Sequence, residues 1–513
     1  MRISRRLFLL LPALYLAACG RDELPTAPDS PAGPGVSSAA AATLVVNSLA
    51  DPGNGVCNAT ECTLREAIKD SRSSAITFAA GLAGSSIILA RPGAGGGTLV
   101  IDKTLRINGP SGHVTITRRT TDPEFRILTI GTGGTASLTN LTLQNGKTDR
   151  NGGGIINFGR LTLRDCLVAE NAGLTGGGID NHGPLTLTRT SIVFNSGLAG
   201  PTRSAAGGIH NHLDRVTITN SSVTGNSGIG IFNGGGRLDI ANSFISSNSS
   251  TGLSQDWGTA TLEHVAIARN HAGGIVNHQG SVLLNHSVVA SNSAEDGGGI
   301  LNVAGGDINI LNSTINQNAA TGRGGGIHNT SGDPFGRLSA RVTVANSTVY
   351  GNSAELGGGI ENSNDLGGAE VRILNSTIDR NSARTNGGGV RNEDSEEDSD
   401  QSNSVFLINT IVARNTAPSA PDVADGAGRF NLIGNGTGSG ISSSNGNQVG
   451  TSSSLINPRI GPLVNNGGPT RTQALLAGSP AIDAASTPDC PPTDQRGVAR
   501  PQGSHCDIGS YEK

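Results

Sequence analysis

The middle of the chain is a series of short, alternating apolar segments that recur at an interval in the low twenties. Three consecutive segments read ANSFISSN, EHVAIARN and NHSVVASN, and they end at Asn248, Asn270 and Asn292. These asparagines lie 22 residues apart, and a second phrase, Gly-Ile-x-Asn, recurs between them. A fixed period of this size is typical of a stacked solenoid. The regular part extends from about residue 140 to residue 415.

When the segments are aligned on their asparagines, the aliphatic residues fall into columns. Leu238 and Ile240 precede one asparagine at a spacing of two, which places both side chains on one face of a strand. Ile245 follows the same asparagine by three residues, so the chain has to bend there. Gly-Ile-x-Asn adds a third column, which includes Ile231 and Ile275. The pattern therefore predicts an all-β fold, a single-stranded right-handed parallel β-helix with three strands per coil.

The recurring polar residues and glycines are predicted to form the corners of this solenoid. Stacked asparagine amides can hydrogen-bond along the axis and satisfy backbone groups at bends. Gly-Gly-Gly at residues 152–154, and again at 297–299 and 357–359, supplies backbone dihedrals that other residues avoid. We interpret both sets as scaffold rather than as ligand-binding groups.

The N-terminus is predicted to be a lipoprotein signal peptide at residues 1–18. A positive segment precedes about ten apolar residues, too few for a membrane-spanning helix, which needs about 20. Leu-Ala-Ala-Cys-Gly at residues 16–20 resembles a bacterial lipobox, which implies cleavage before Cys19 and lipidation of its thiol. An ordinary secretory signal with an incidental cysteine is the alternative. Residues 19–43 are rich in Pro, Ala and Ser and read as a flexible tether.

Export makes the other cysteines interpretable. In an oxidising compartment, the local pairs Cys57 with Cys62 and Cys490 with Cys506 are disulfide candidates. Cys166 stands alone in an apolar segment and is predicted to be a buried thiol.

Both ends of the mature chain carry recognisable motifs. Residues 63–69 read as a short amphipathic helix with Thr63 as N-cap and Glu66 three residues later, which would cover the end of the solenoid. GVC and CTLREAI at residues 55–68 resemble the CSLREA-type region of bacterial secreted β-helix proteins. NGGPTRT, GSPAID, DQRG and CDIG at residues 466–509 resemble the choice-of-anchor Q domain of bacterial surface proteins. That family often has an anchoring element after this region; here the chain stops at Lys513, which leaves the N-terminal lipid as the expected anchor.

We therefore expect an N-terminal cap at residues 44–97 and a β-helix at residues 98–433. A Gly/Ser-rich connection at residues 434–460 and a C-terminal, cap-like choice-of-anchor Q region at residues 461–513 follow. Net charge is −4 and basic residues are scattered, so nucleic acid is not expected as a partner.

Candidate chemistry is sparse, and no catalytic residue can be assigned from spacing. Phrases typical of polygalacturonases are absent, and aromatic residues make up 3% of the chain. Three successive coils carry long corner loops after Asn329, Asn362 and Asn392, which are predicted to stack into one protrusion. Loops on a rigid scaffold often carry function. Their candidate binding residues are Asp333, Arg337, Asp365, Arg391, Glu393, Asp394 and Asp398. Solvated, tolerated insertions are the simpler interpretation of these loops, and Ca²⁺ is the only cofactor that their acids suggest.

A second candidate is a set of histidines, His182, His210 and His212, on adjacent coils at one corner. Imidazoles in such an arrangement can bind a metal or act as a base, whereas polar residues at a solvent corner are the simpler interpretation.

The leading hypothesis is an exported, lipid-anchored protein of the outer membrane or cell surface with a structural, adhesive or surface-binding role. Its expected partners are the membrane, through the lipid, and a polysaccharide or another cell-surface component. The alternative is a polysaccharide-active enzyme, most simply a lyase, with its groove along one face of the β-helix, since the fold itself does not select a function.

Lipidation of Cys19 is open to a direct test. Cells that express the full chain should incorporate labelled palmitate into the wild-type protein and not into Cys19→Ser. Incorporation into Cys19→Ser at the wild-type level would show that the lipobox interpretation is wrong.

Overall fold

Three long parallel sheets, named A, B and C in the order in which each coil visits them, build the protein. They are seen in a computed structural model that describes residues 42–93, 95–198, 205–331, 338–363, 368–393 and 403–513. Within these residues, sheets A and B each contain fifteen strands and sheet C contains thirteen. Neighbouring strands in each sheet come from successive coils, so the fold is a parallel β-helix, as predicted.

The strands of sheet A are Ala42–Val46, Ser73–Phe78, Thr104–Asn108, Thr135–Thr139, Arg160–Arg164, Leu185–Thr188, Val216–Thr219, Arg237–Ala241, Thr259–Glu263, Ser281–Asn285, Asp307–Leu311, Ala340–Ala345, Ala369–Leu374, Ser404–Ile408 and Ala427–Arg429. Those of sheet B are Ser86–Leu89, Val114–Arg118, Leu141–Gln144, Leu167–Ala169, Ser191–Val193, Ser222–Thr224, Phe244–Ser246, Ala266–Ala268, Val288–Ala290, Thr314–Asn316, Thr348–Tyr350, Thr377–Asp379, Ile411–Ala413, Leu432–Ile433 and Gln448–Val449. Those of sheet C are Leu99–Ile101, Leu128–Ile130, Ile155–Asn157, Ile179–Asn181, Ala206–Asn211, Ile229–Asn233, Leu253–Gln255, Ile275–His278, Ile300–Val303, Ile327–Thr330, Ile360–Ser363, Val390–Asn392 and Val423–Ala424.

Shorter elements lie beside these sheets. Two small parallel sheets comprise Ala172–Gly173 with Ser196–Gly197, and Ser293–Ala294, Ala319–Ala320, Ser353–Leu356 and Ser382–Asn386. An antiparallel pair joins Ile460–Val464 to Thr472–Leu475. The helical elements are an α-helix at Leu64–Lys69 and 3₁₀ turns at Ala80–Leu82 and Thr487–Asp489. None of the described helices is long and apolar enough to cross a membrane.

The core consists of the aliphatic columns that the period predicts. In sheet C, Ile275 pairs with Ile300, Ile300 with Ile327, and Ile327 with Ile360. All four side chains are fully buried. Because the parallel strands are in register, aliphatic residues of successive coils stack on one another. One continuous apolar core therefore runs along the inside of the coils.

The corner between sheets A and B differs from the prediction in detail. Asn220, Asn242 and Asn312 there have a φ of 50°, so each serves mainly through its left-handed backbone. The axial ladder at this corner is formed by the next residue instead. The backbone N–H of Ser221, for example, donates to the Ser243 hydroxyl at 3.1 Å.

The corner after sheet B contains a continuous, buried amide ladder. Each asparagine donates from Nδ2 to the Oδ1 of the next coil at 2.9–3.1 Å, and the backbone N–H of each donates to the same oxygen in most coils. The ladder comprises Asn171, Asn195, Asn226, Asn248, Asn270, Asn292, Asn318, Asn352, Asn381 and Asn415. Its last amide donates to Asp422 Oδ1 at 2.9 Å.

A second buried ladder occupies the corner after sheet C. Its members are Asn157, Asn181, Asn211, Asn233, Gln255, Asn277, Asn302, Asn329, Asn362 and Asn392, and its amide–amide bonds measure 2.6–2.8 Å. The ladder is interrupted once, because Gln255 donates to the Trp257 carbonyl and leaves Asn277 Oδ1 without a partner among the described residues. Its last amide donates to Asp425 Oδ2 at 3.1 Å. Both ladders donate toward the C-terminus, and both therefore end on a carboxylate.

The N-terminal end is covered by the predicted helix. Thr63 and Glu66 form a reciprocal capping box, with Thr63 N donating to Glu66 Oε2 at 2.8 Å. Leu64 and Ile68 pack into the core of the first coils. The predicted disulfide between Cys57 and Cys62 is present beside the helix.

The C-terminal segment folds back along the side of the β-helix, against the outer face of sheet B. Thr348, which points outward from sheet B, donates to Gln495 Oε1 at 2.7 Å, and Ser510 N donates to Thr377 Oγ1 at 3.1 Å. Ile411 and Leu432 share a small apolar cluster with Ile508 of this segment. The second predicted disulfide, between Cys490 and Cys506, closes the segment. The buried thiol of Cys166 is free, as predicted, and takes the place of serine in the ladder between sheets A and B.

The amide ladder after sheet B should contribute strongly to stability. Asn270→Ala removes the acceptor of two Asn248 donors and leaves the Ile245 carbonyl without its amide partner. Each buried group left unsatisfied costs about 1–3 kcal/mol, so the free energy of unfolding should fall by about 2–5 kcal/mol. Urea denaturation followed by circular dichroism measures this change. The matched control is Asn242→Gly. Glycine readily adopts the positive φ of this position, so the substitution should change the free energy of unfolding by less than about 1 kcal/mol. Equal destabilisation by the two substitutions would contradict the distinction between the corners.

Candidate functional site

The outer face of sheet C carries an open groove and two clusters of ionisable side chains. In each Gly-Ile-x-Asn phrase the isoleucine faces the core and the residue x faces outward. In register, this outer column reads Asp180, His210, Phe232, Ser254, Val276, Leu301, His328, Glu361 and Arg391. Several of these side chains, among them Asp180, His210 and Glu361, are buried although they point away from the core. The face is therefore recessed.

An open groove of about 660 Å³ lies in the middle of this face. Its floor includes Ser254, Val276 and Leu301, and the turns that lead into sheet C form one wall. Ser227, Ser249 and Thr251 contribute to that wall. The groove extends along the axis from the coil of strand Ile229–Asn233 to that of Ile300–Val303. It thus combines apolar floor with hydroxyl groups, which is the usual composition of a small-molecule or polymer site.

Exposed apolar side chains follow the opposite rim. Trp257, next to the lining residue Asp256, is 57% exposed, and Leu213 is 75% exposed. Gly235, on the coil between them, leaves space into which both side chains extend. The Trp257 indole N–H donates to Gln279 Oε1, which holds the ring in place. The one tryptophan of the chain therefore lies at the corner after sheet C, one residue beyond the groove lining.

At the C-terminal end of the face, two carboxylates share one guanidinium. Arg391 Nη1 contacts Glu361 Oε1, and Arg391 Nη2 lies 3.3 Å from Glu393 Oε1. Arg323 Nη1 approaches Glu393 Oε2 at 2.6 Å. We call these four residues the acid–arginine cluster. It lies on the coils whose loops follow Asn362 and Asn392.

Glu361 supplies a fully buried carboxyl to this cluster. Burial raises its pKa to about 7, although Arg391 lowers the pKa and Glu393 raises it further. Its Oε2 atom has no hydrogen-bond partner among the residues that the structure describes. A carboxyl that titrates near neutrality is suited to proton transfer.

At the N-terminal end of the face, three imidazoles surround one buried carboxylate. Asp180 Oδ1 lies 2.8 Å from His210 Nδ1 and 3.3 Å from His212 Nε2, and Asp180 Oδ2 lies 2.7 Å from His182 Nε2. We call these residues the histidine cluster. Burial raises the pKa of Asp180, but the hydrogen bonds from His210 and His212 outweigh burial and hold the pKa well below its ordinary value.

Aromatic rings enclose the histidine cluster along the axis. Phe158 stacks on His182 with 5.0 Å between ring centroids, and Phe232 lies 5.0 Å from His210. The rings of His182 and His212 stack at 3.8 Å. Donor atoms of Asp180, His210 and His212 all lie within 4.8 Å of one another, as do those of a more exposed group, Glu263, His264 and His286, at the corner after sheet A.

The sequence-predicted sites have different outcomes. The structure brings His182, His210 and His212 together, and it places Arg391 and Glu393 in the acid–arginine cluster. Five further loop candidates lie outside the described residues, so the predicted protrusion and its Ca²⁺ site stay predictions; they are Asp333, Arg337, Asp365, Asp394 and Asp398. Cys19 also lies outside them.

Sequence reasoning missed Asp180, Glu361 and Arg323. Asp180 and Glu361 both occupy position x of the Gly-Ile-x-Asn phrase, whose outward direction was predictable from the alternation of the strand. Reading that position as a column would have revealed the two clusters, because ionisable residues stand on consecutive coils there.

Comparisons with known proteins add little beyond the fold. No protein-family model matches the chain, and no curated protein does so either. Among solved structures, pectate lyase Pel9A aligns with 92% of this chain and 96% of its own, at 13% identity and a TM-score of 0.36. Tailspike protein 3 of bacteriophage CBA120 aligns with 73% of this chain and 56% of its own, at 10% identity and a TM-score of 0.36. Both likenesses concern the fold alone.

Proposed function

We propose that this chain is a cell-envelope β-helix protein that binds an extended polysaccharide along the outer face of sheet C. The observation that carries the proposal is the groove itself, which is recessed, open and aligned with the axis over several coils. A polymer that lies in it would meet equivalent positions on successive coils, about 4.8 Å apart. The repeat of the protein would then match the repeat of a linear ligand.

The lining suits a sugar polymer better than a lipid or a peptide. Hydroxyl groups of Ser227, Ser249 and Thr251 are available to pair with sugar hydroxyls, while Val276 and Leu301 offer an apolar floor. Trp257 presents its ring at the rim. Sequence motifs at both ends, which resemble those of bacterial surface proteins, support an envelope location with the lipid on Cys19 as anchor.

A charged side chain on the groove floor should block this binding. Val276→Arg should weaken binding by about tenfold or more, which corresponds to ~1.4 kcal/mol, because the new guanidinium would occupy the groove. Affinity electrophoresis against neutral and acidic polysaccharides measures this change. Leu283→Arg is the matched control, since Leu283 points outward from sheet A on the same coil. It should bind as the wild type does.

Trp257→Ala provides a second, milder variant, and it should also weaken binding. Binding of every polysaccharide by Val276→Arg at the wild-type affinity would contradict the proposal. Failure of the wild-type protein to bind any of them would contradict it as well.

The acid–arginine cluster favours a second candidate, a polysaccharide-active enzyme. Proton abstraction next to a sugar carboxylate needs a base and a neighbouring positive charge. Glu361, whose pKa is about 7, and Arg391, which it contacts, have this combination, and Glu393 supplies a second carboxylate on the following coil.

This candidate predicts a distinct pH profile. If Glu361 is the base, release of unsaturated products from an acidic polysaccharide should rise as the pH passes through about 7, because only the ionised carboxylate accepts a proton. Glu361→Gln should reduce the rate by about 100-fold or more. Glu370→Gln, an outward-facing residue of sheet A on the same coil, should leave it unchanged. Binding without any product release would leave the first proposal standing and eliminate the second.

A further inference from the structure

The histidine cluster is built by the lattice of the β-helix. Asp180 and His210 are register partners on adjacent coils, and His182 and His212 follow them at the same offset of two residues. Four side chains of neighbouring coils therefore converge at one point of the outer face. A two-residue step along a strand and one step between coils are each small enough, about 5–7 Å, for long side chains to meet.

The donor atoms of the histidine cluster have a spacing similar to that of metal ligands. Four ligands at about 2.0–2.1 Å from Zn²⁺ in tetrahedral geometry lie about 3.3 Å from one another. The three nitrogens lie 2.7–3.3 Å from the oxygens of Asp180, and the donor atoms of Asp180, His210 and His212 fall within a 4.8 Å span.

The charge of the cluster also favours a cation. The cluster presents one carboxylate, that of Asp180, with imidazole nitrogens on both of its oxygens. Arg126, whose charge attracts Asp180, donates to the backbone carbonyl of Asn151.

We propose that Asp180, His210 and His212 bind one divalent transition-metal ion, of which Zn²⁺ is the simplest case, while His182 holds the Asp180 carboxylate from its other oxygen. Imidazole ligands suit Zn²⁺, Ni²⁺ and Cu²⁺, whereas Ca²⁺ and Mg²⁺ prefer oxygen ligands throughout. The rings of Phe158 and Phe232 border the site on either side along the axis. The ion joins two successive coils at this point, and its binding does not depend on the proposed polysaccharide.

The test is titration of the tag-free, metal-stripped full chain in detergent with Zn²⁺ by isothermal calorimetry. The wild type should bind one ion at this site, with a dissociation constant in the micromolar range or tighter. His210→Phe should weaken binding by about 100-fold or more. This variant should fold, because Phe232 occupies the same position on the next coil. His182→Phe should also fold, since Phe158 precedes it in the same column, and should lose affinity too.

The matched control is His286→Ala, in the other group of potential ligands, which should retain the wild-type affinity for this site. Co²⁺ gives an independent signal, because visible absorption bands of a low-symmetry, His-rich site should appear with the wild type and be absent with His210→Phe. An excess of Ca²⁺ should not compete. Absence of Zn²⁺ uptake by the wild type, or loss of uptake in His286→Ala with retention in His210→Phe, would overturn the proposal.

Discussion

Every coil of this protein has to bend three times without leaving buried backbone groups unpaired, and this constraint accounts for most of the sequence. An unpaired buried N–H or C=O costs about as much free energy as a hydrogen bond contributes. Because every coil bends at the same corners, this cost would be repeated on every coil. Buried amides such as Asn248 and Asn270 meet the demand by pairing with backbone and with one another. All amides of a ladder point the same way, so the final donors need acceptors, which Asp422 and Asp425 provide.

Because the interior and the corners are committed to structure, variation is left to the outward columns. The outer face of sheet B is covered by the C-terminal segment over the last coils, where Gln495 bonds to Thr314 and Thr348. Sheet C instead carries the groove, with the histidine cluster at one end and the acid–arginine cluster at the other. Buried ionisable groups that face away from a core are costly to maintain, so their position on this face points to function.

The period of the chain was enough to predict the coils and the inward columns, because these depend on local alternation and on stacking of like residues. The capping helix was predicted separately, from the N-cap residue Thr63 and Glu66. It did not distinguish Asn242, whose role is its backbone conformation, from Asn248, whose amide forms the ladder, since both recur at the same interval. The histidines were found because they lie at the same corner on adjacent coils. Asp180 and Glu361 were missed because their chemistry arises from contacts between coils whose separation in sequence varies with the loops.

The central claim is that the outer face of sheet C is the working face of the protein. The most direct measurement is hydrogen–deuterium exchange of the wild-type chain with and without a polysaccharide that it binds, since bound ligand slows local opening of the backbone it covers. Exchange should slow at residues 227–229, 249–256, 272–278 and 300–303, and the sheet A strands of the same coils should not change. Protection confined to sheet A, or to the C-terminal segment, would contradict the account.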